Sequence, residues 1–286
     1  MTDLGAPRRT SRLDGVSAEA LFVVSAVAQY VGAIIAVNLF DEVPPATVAW
    51  LRVVGAALAL GAVSWRHRAR RWTRAELAAA AVFGVATALM NLFFYLGIAR
   101  IDLGPSVAIE FIGPITVAAL RTRTRRNALA LALAIVGVLI LSGLELGGEP
   151  LGLAFIFLAS TMWALYIVVG AHVARLDRGL SGLALGLGIG AVALVPIGVP
   201  GSGPVWGSPT LLVACLVVGV FSNAIGYGID QHVMRRMTVR RFAVMLALLP
   251  VTALVMGAIA LDQRPTPGKL LGVAFILAGV LVQDRT

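Results

Sequence analysis

The chain alternates long apolar stretches with short turns rich in arginine. Ten stretches read as spanning helices: 20–40, 44–65, 76–99, 104–120, 128–144, 151–173, 180–199, 210–229, 242–261 and 267–282. A helix needs roughly 20 apolar residues to cross the hydrocarbon core. The runs are rich in Ala, Leu and Gly, and they show no alternation with a period of two. Most are well beyond the roughly 9–11 residues of a barrel strand. The pattern predicts an all-α membrane protein with ten transmembrane helices.

Composition agrees with a chain that has lipid for solvent. Hydrophobic residues make up 59% of the 286, charged residues 13%, and the mean hydropathy is +0.93. A soluble domain carries roughly 25% charged residues, because water must wet its surface. This chain has too few charges to do that.

The charges also predict an orientation. With the N-terminus in the cytoplasm, 19 of the 23 Lys and Arg residues fall on the cytoplasmic side, in clusters such as Arg66, Arg68, Arg70 and Arg71. Only Arg100, Arg264 and Lys269 fall on the other, where Asp41, Glu42, Glu145 and Glu149 sit instead. That bias follows the positive-inside rule and predicts cytoplasmic termini in a bacterial inner membrane. It also explains the pI of 11.1 without nucleic acid. A nucleic-acid protein would gather its basic residues on one soluble face. The first apolar run is too long for the core of a signal peptide. Arg8 and Arg9 read as a cytoplasmic anchor.

The chain divides near residues 147–150, G-G-E-P. The expected organisation is a cytoplasmic tail (1–18), a first five-helix repeat (19–146) and a second (147–286). Five is odd, so the halves enter the bilayer from opposite sides and form an inverted repeat. Residues 98–101 (I-A-R-I) and 234–237 (M-R-R-M) match faintly at an offset of 136, which also carries Pro114 to Pro250. Proline removes a backbone donor and kinks a helix. In a membrane such a kink must face protein or a cavity. Paired interruptions point to a central substrate site, or to two structural kinks.

Two charges lie well inside spans, Arg52 in the second and Glu110 in the fourth. Each costs roughly 2.5–3.5 kcal/mol at mid-membrane. Counted from the outer ends of their spans, both lie about 9–12 Å deep at 1.5 Å per residue. They read as a structural ion pair or as a site for substrate and a coupling proton. Asn91 and Tyr95 share one face of the third span at i, i+4. Gln29, Tyr30 and Asn38 are further polar candidates, with Thr161, Trp163 and Tyr166 on the sixth span and Ser222, Asn223 and Tyr227 on the eighth. Each reads as a ligand contact or an interhelical hydrogen bond. Glycines 182, 186 and 190, and 268 and 272, read as close-packing positions.

Enzyme chemistry finds no support. There is no H-E-x-x-H pair, P-loop or dinucleotide fingerprint. His67, His172 and His232 lie near span ends, and Cys215 is the single cysteine, within an apolar run. No metal site and no cofactor is expected.

Three stretches carry a family resemblance: Met90-Asn91-Leu92-Phe93-Phe94-Tyr95, Ile101-Asp102-Leu103-Gly104 and Val107-Ala108-Ile109-Glu110-Phe111-Ile112-Gly113-Pro114. With Arg52 in Ala49-Trp50-Leu51-Arg52, they resemble the threonine/homoserine exporter branch of the drug/metabolite transporter superfamily, built from EamA-type domains. The resemblance implies export of small amino acids or related metabolites through a cavity between the halves, with protons as a candidate coupling ion. Two departures stand out. Asp102 replaces the proline common before Leu-Gly, which bears on the outer mouth. Leu249-Pro250 replaces a Glu-Pro pair, which bears on coupling. Export of aromatic compounds, drugs or purines is the alternative, and a non-transporting membrane scaffold is a third reading.

Overall fold

A computed structural model describes residues 17–64, 72–121, 124–146, 149–173, 179–226, 229 and 248–282. Among these residues every regular element is a helix. The first half holds α1 (Ala18–Leu39), α2 (Pro45–Ser64), α3 (Arg74–Ile98), α4 (Leu103–Glu110), α5 (Ile112–Arg121) and α6 (Arg125–Leu146). The second holds α7 (Pro150–Val173), α8 (Gly179–Gly198), α9 (Gly203–Gly207), α10 (Pro209–Gly219), α11 (Leu248–Ala260) and α12 (Pro267–Val282). A π-helical segment, Val220–Ile225, continues α10.

Local chemistry sets the helix starts. The Ser17 hydroxyl accepts from the Ala20 amide at 3.2 Å. Thr73 and Glu76 close a capping box at the start of α3. Each supplies a partner to backbone donors that a helix leaves open at its N-terminus. Proline opens α2, α7 and α12, where its missing N–H costs nothing.

Among the described residues, five helices are long and apolar enough to cross a membrane: α1, α2, α3, α7 and α8. Four shorter apolar segments accompany them, at Leu103–Val117, Pro209–Ile225, Leu249–Ala260 and Pro267–Val282. Each long helix turns large apolar side chains outward; Leu58, Val82 and Val192 are 63%, 51% and 71% exposed. In lipid such faces cost nothing.

The expected spans differ from the helices in two places. The fourth span is broken into α4 and α5 at Phe111. Proline causes this, because Pro114 has no N–H to give the Glu110 carbonyl four residues back. The eighth loses its α-helical pitch at Val220. A short helix that the apolar pattern does not predict, α9, lies between α8 and α10. Pro250 lies in the first described turn of α11, and the stretch before it is outside the described residues.

The halves pack on each other along much of their length. Helix α2 lies on α8 and α10, α3 on α7 and α8, α4 on α11, α6 on α12, and α1 on the π segment. Glycine makes many of these contacts. A Cβ on Gly84 would strike the Gly186 backbone, and one on Gly219 would strike the Arg52 carbonyl. Gly137 and Gly272 meet in the same manner between α6 and α12. Small residues permit such approaches where lipid supplies no hydrophobic drive.

Candidate functional site

Arg52 and Glu110 both turn inward, at 7% and 8% exposed. A charge facing hydrocarbon would be costly, so each needs a polar neighbourhood. Arg52 has a well-defined one. Its Nε donates to Asn223 Oδ1 at 2.6 Å, joining α2 to the π segment across the two halves. Its guanidinium lies over the Tyr95 ring, 4.7 Å from the centroid. Tyr95 in turn meets the Phe40 ring edge-on at 5.8 Å.

Glu110 is the last residue of α4, beside the break. It lies within electrostatic range of Arg52. Among the described residues, however, the Arg52 hydrogen bond goes to Asn223 and not to Glu110. The contact pair that their depths allowed is replaced by an amide bridge.

Two buried polar atoms here, Tyr95 Oη and Asn223 Nδ2, make no hydrogen bond among the described residues. Both side chains are fully buried. Leaving such a group unsatisfied costs roughly 1–3 kcal/mol. Both atoms lie around one arginine.

The π segment explains how Asn223 comes to face Arg52. A π turn widens the helix, and such turns recur at functional sites. Neighbouring α1 groups bind along it. Ser222 Oγ donates to the Gln29 carbonyl at 3.2 Å, and Ser25 Oγ donates to the Gly226 carbonyl at 3.0 Å. Gln29 Nε2 donates to Ser25 Oγ at 3.1 Å. Gly32 leaves space for the Ser222 side chain.

The remaining candidates are dispersed. Asn91 is buried one turn from Tyr95, and its Nδ2 donates to the Thr87 carbonyl at 2.7 Å. Tyr30 is buried on α1. Trp163 meets Phe111 edge-on at 5.0 Å, so it packs on the break between α4 and α5. Tyr166 lies against Phe83 at 4.8 Å. Neither stacks on Arg52 as Tyr95 does. Asn38 and Thr161 are exposed and donate to the carbonyls of Ile34 and Phe157 on their own helices. Tyr227 lies outside the described residues.

Some contributors carried no sequence signal. Trp50 is two residues from Arg52 and donates its Nε1–H to the Ala191 carbonyl at 3.0 Å, fixing α2 to α8. Thr47 Oγ1 donates to the Gly198 carbonyl at 2.7 Å on the same seam. Cys215 is buried and lies within electrostatic range of Tyr95. Among the described residues no group of three or more His, Cys, Asp or Glu could hold a metal ion.

Comparison with known proteins places this architecture. Residues 150–283 match the EamA-like transporter family. The threonine/homoserine exporter RhtA of Escherichia coli (strain K12) is 31% identical over 264 residues, covering 89% of this chain and 87% of that protein. Its counterpart in Salmonella typhimurium (strain LT2) is 32% identical over the same shares. An uncharacterized transporter of Archaeoglobus fulgidus is 22% identical over 71% of this chain and 75% of its own length. A solved crystal structure shares the fold at a TM-score of 0.63 and 17% identity, covering 93% of this chain and 95% of that one. With its apolar helices and its buried polar cluster, the chain belongs to the EamA-like transporter family of the drug/metabolite transporter superfamily, as a multi-pass membrane transporter of small molecules.

Proposed function

We propose that the chain exports small amino acids, threonine and homoserine among them, across a bacterial inner membrane. The observation that carries this reading is the buried cluster of Arg52, Tyr95 and Asn223 with Glu110 beside it. An amino acid brings a carboxylate, an ammonium and, for threonine or homoserine, a hydroxyl. Arg52 and the free Asn223 Nδ2 donors suit the carboxylate. Glu110 suits the ammonium, and the Tyr95 hydroxyl suits the hydroxyl of the substrate. Similarity to the two RhtA exporters over most of the chain supports the same substrate class.

In this reading the chain crosses the membrane ten times as two inverted halves, 19–146 and 147–286, with cytoplasmic termini. The arginine bias of the turns supports the orientation. The family match over 150–283 supports a boundary near residue 147. Export then runs on a gradient, and Glu110 is the candidate proton carrier.

Efflux from proteoliposomes loaded with threonine or homoserine tests the proposal, with aromatic amino acids, a cationic drug and a purine as competitors. Saturable threonine efflux is the expected result. Preference for the drug or the purine would assign the cluster to another solute, and no flux of any kind would leave a scaffold. Asn223→Ala should raise the half-saturating threonine concentration about tenfold, since one hydrogen bond to a charged group is worth about 1.5 kcal/mol or more. Glu110→Gln should flatten the pH dependence of efflux while some downhill flux remains. An unchanged pH profile in that variant would exclude Glu110 as the carrier.

A further inference from the structure

The strongest remaining feature lies at the N-terminal end of α4. Asp102 occupies the N-cap position of α4, yet its side chain makes no cap. Its carboxylate instead accepts from Lys269 Nζ, in the first turn of α12, at 2.7 Å. The Lys269 and Asp102 side chains are only 18% and 34% exposed. The first amide of α4, Leu103 N–H, donates to Gln263 Oε1 at 2.9 Å. The N-terminus of a first-half helix is thus capped by a side chain of the second half.

The loop that supplies Gln263 is built for this contact. Asp262 holds φ at 51°, the only positive φ of a non-glycine among the described residues. That conformation is strained for an L-residue and persists where contacts hold it. The Gln263 amide donates to the Gly257 carbonyl at 3.1 Å. A Cβ on Gly257 would lie 2.7 Å from Gln263 Oε1, so glycine leaves room for the capping oxygen.

Helix α4 connects this contact to the polar cluster. Glu110 lies seven residues from Leu103, about 10 Å at 1.5 Å per residue. The break at Phe111 sets α4 apart from α5 as a short rod between the contact and the cluster. We propose that Asp102, Lys269 and Gln263 form an external latch that joins the two halves, and that it must open for solute to leave the cluster. This rests on the transport reading of the cluster. The latch oxygens and nitrogens bind each other when closed and water when open, so the exchange is close to balanced. A gate that must cycle needs that balance.

Two experiments test the latch. The first uses Cys215, the chain's single cysteine, as a reporter buried beside the cluster. In D102N/Q263A, a membrane-impermeant maleimide added outside should modify Cys215 at least fivefold faster than in the wild type. The charge-swapped D102K/K269D, which keeps an ion pair, should return the rate toward wild type. Equal rates in the broken and intact proteins, or a swapped protein as open as D102N/Q263A, would overturn the latch. The second uses D102C/K269C in a C215S background. A short bis-methanethiosulfonate, which forms a disulfide with each cysteine and releases two sulfinates, should cut threonine efflux more than tenfold, and a reductant that cleaves those disulfides should restore it. Undiminished efflux after cross-linking would overturn the latch. If the wild type exports no amino acid, the substrate reading fails, and the labelling rates alone decide the latch.

Discussion

Arg52→Leu should reduce amino-acid efflux to background, a loss of at least about a hundredfold, with protein still present in the membrane. The guanidinium serves three partners at once. It donates to Asn223 Oδ1, lies over the Tyr95 ring and offsets the charge of Glu110. Leucine fills part of the volume and supplies none of these. It also removes the cation that faces Glu110 and leaves the buried Asn223 Oδ1 without its donor, which costs roughly 1–3 kcal/mol. Two effects are therefore mixed, lost recognition and lost stability. Arg52→Leu combined with Glu110→Gln separates them. The double variant should regain its level in the membrane and still export nothing. Arg52→Lys should remain strongly impaired, because a lysine ammonium lacks the planar fork that bonds the amide and stacks on the ring together. Full threonine efflux from Arg52→Leu would remove this arginine from the site.

The sequence discloses this molecule unevenly, and the reason is range. Hydrophobic length is a local signal, and it places the described apolar helices within a few residues. Arg52 and Glu110 are visible because an ionised group inside an apolar run has few explanations. Pro114 marks the interruption of the fourth span, although the break itself falls at Phe111. What joins Arg52 to its partner is not local. Asn223 is 171 positions away, and nothing in the residues 220–225 announces a π turn that aims its amide at α2. The same holds for Asp102 and Lys269, 167 positions apart. Asp102 attracts attention only as a departure from a family pattern, and its partner carries no mark. Helix α9 is hidden by its length, since five residues that include Pro204 and end just short of Pro209 read as a loop. Asn38 and Thr161 show the opposite failure. Polarity makes them candidates, but each satisfies itself on its own helix and faces outward.

Gly84→Leu should largely abolish folded protein, with a loss of roughly 3 kcal/mol or more. A Cβ at this position would meet the Gly186 carbonyl and carbon, and would lie 2.7 Å from Gly186 Cα. These are backbone atoms, so no rotamer change relieves the overlap and α3 and α8 must part. Even Gly84→Ala should be damaging, because the offending atom is the Cβ itself. The seam is shared, since a Cβ on Gly190 would lie 2.8 Å from Ala88 Cβ and one on Gly186 would lie 3.0 Å from the Ala80 carbonyl. Gly188 is the internal control. A Cβ there meets nothing within 4 Å, so Gly188→Leu should leave the protein folded. Heating in detergent followed by size-exclusion chromatography gives the ranking, with Gly188→Leu near wild type, Gly84→Ala below it and Gly84→Leu lowest. Equal survival of all three would mean that close approach of α3 and α8 is not what holds the halves together. The effect should reach transport as well. Helix α3 carries Tyr95, and α8 holds α2 through the Trp50 hydrogen bond two residues from Arg52. Parting α3 from α8 therefore pulls the ring from beneath the guanidinium, so the Gly84→Ala protein that survives should bind threonine more weakly than its remaining stability alone would predict.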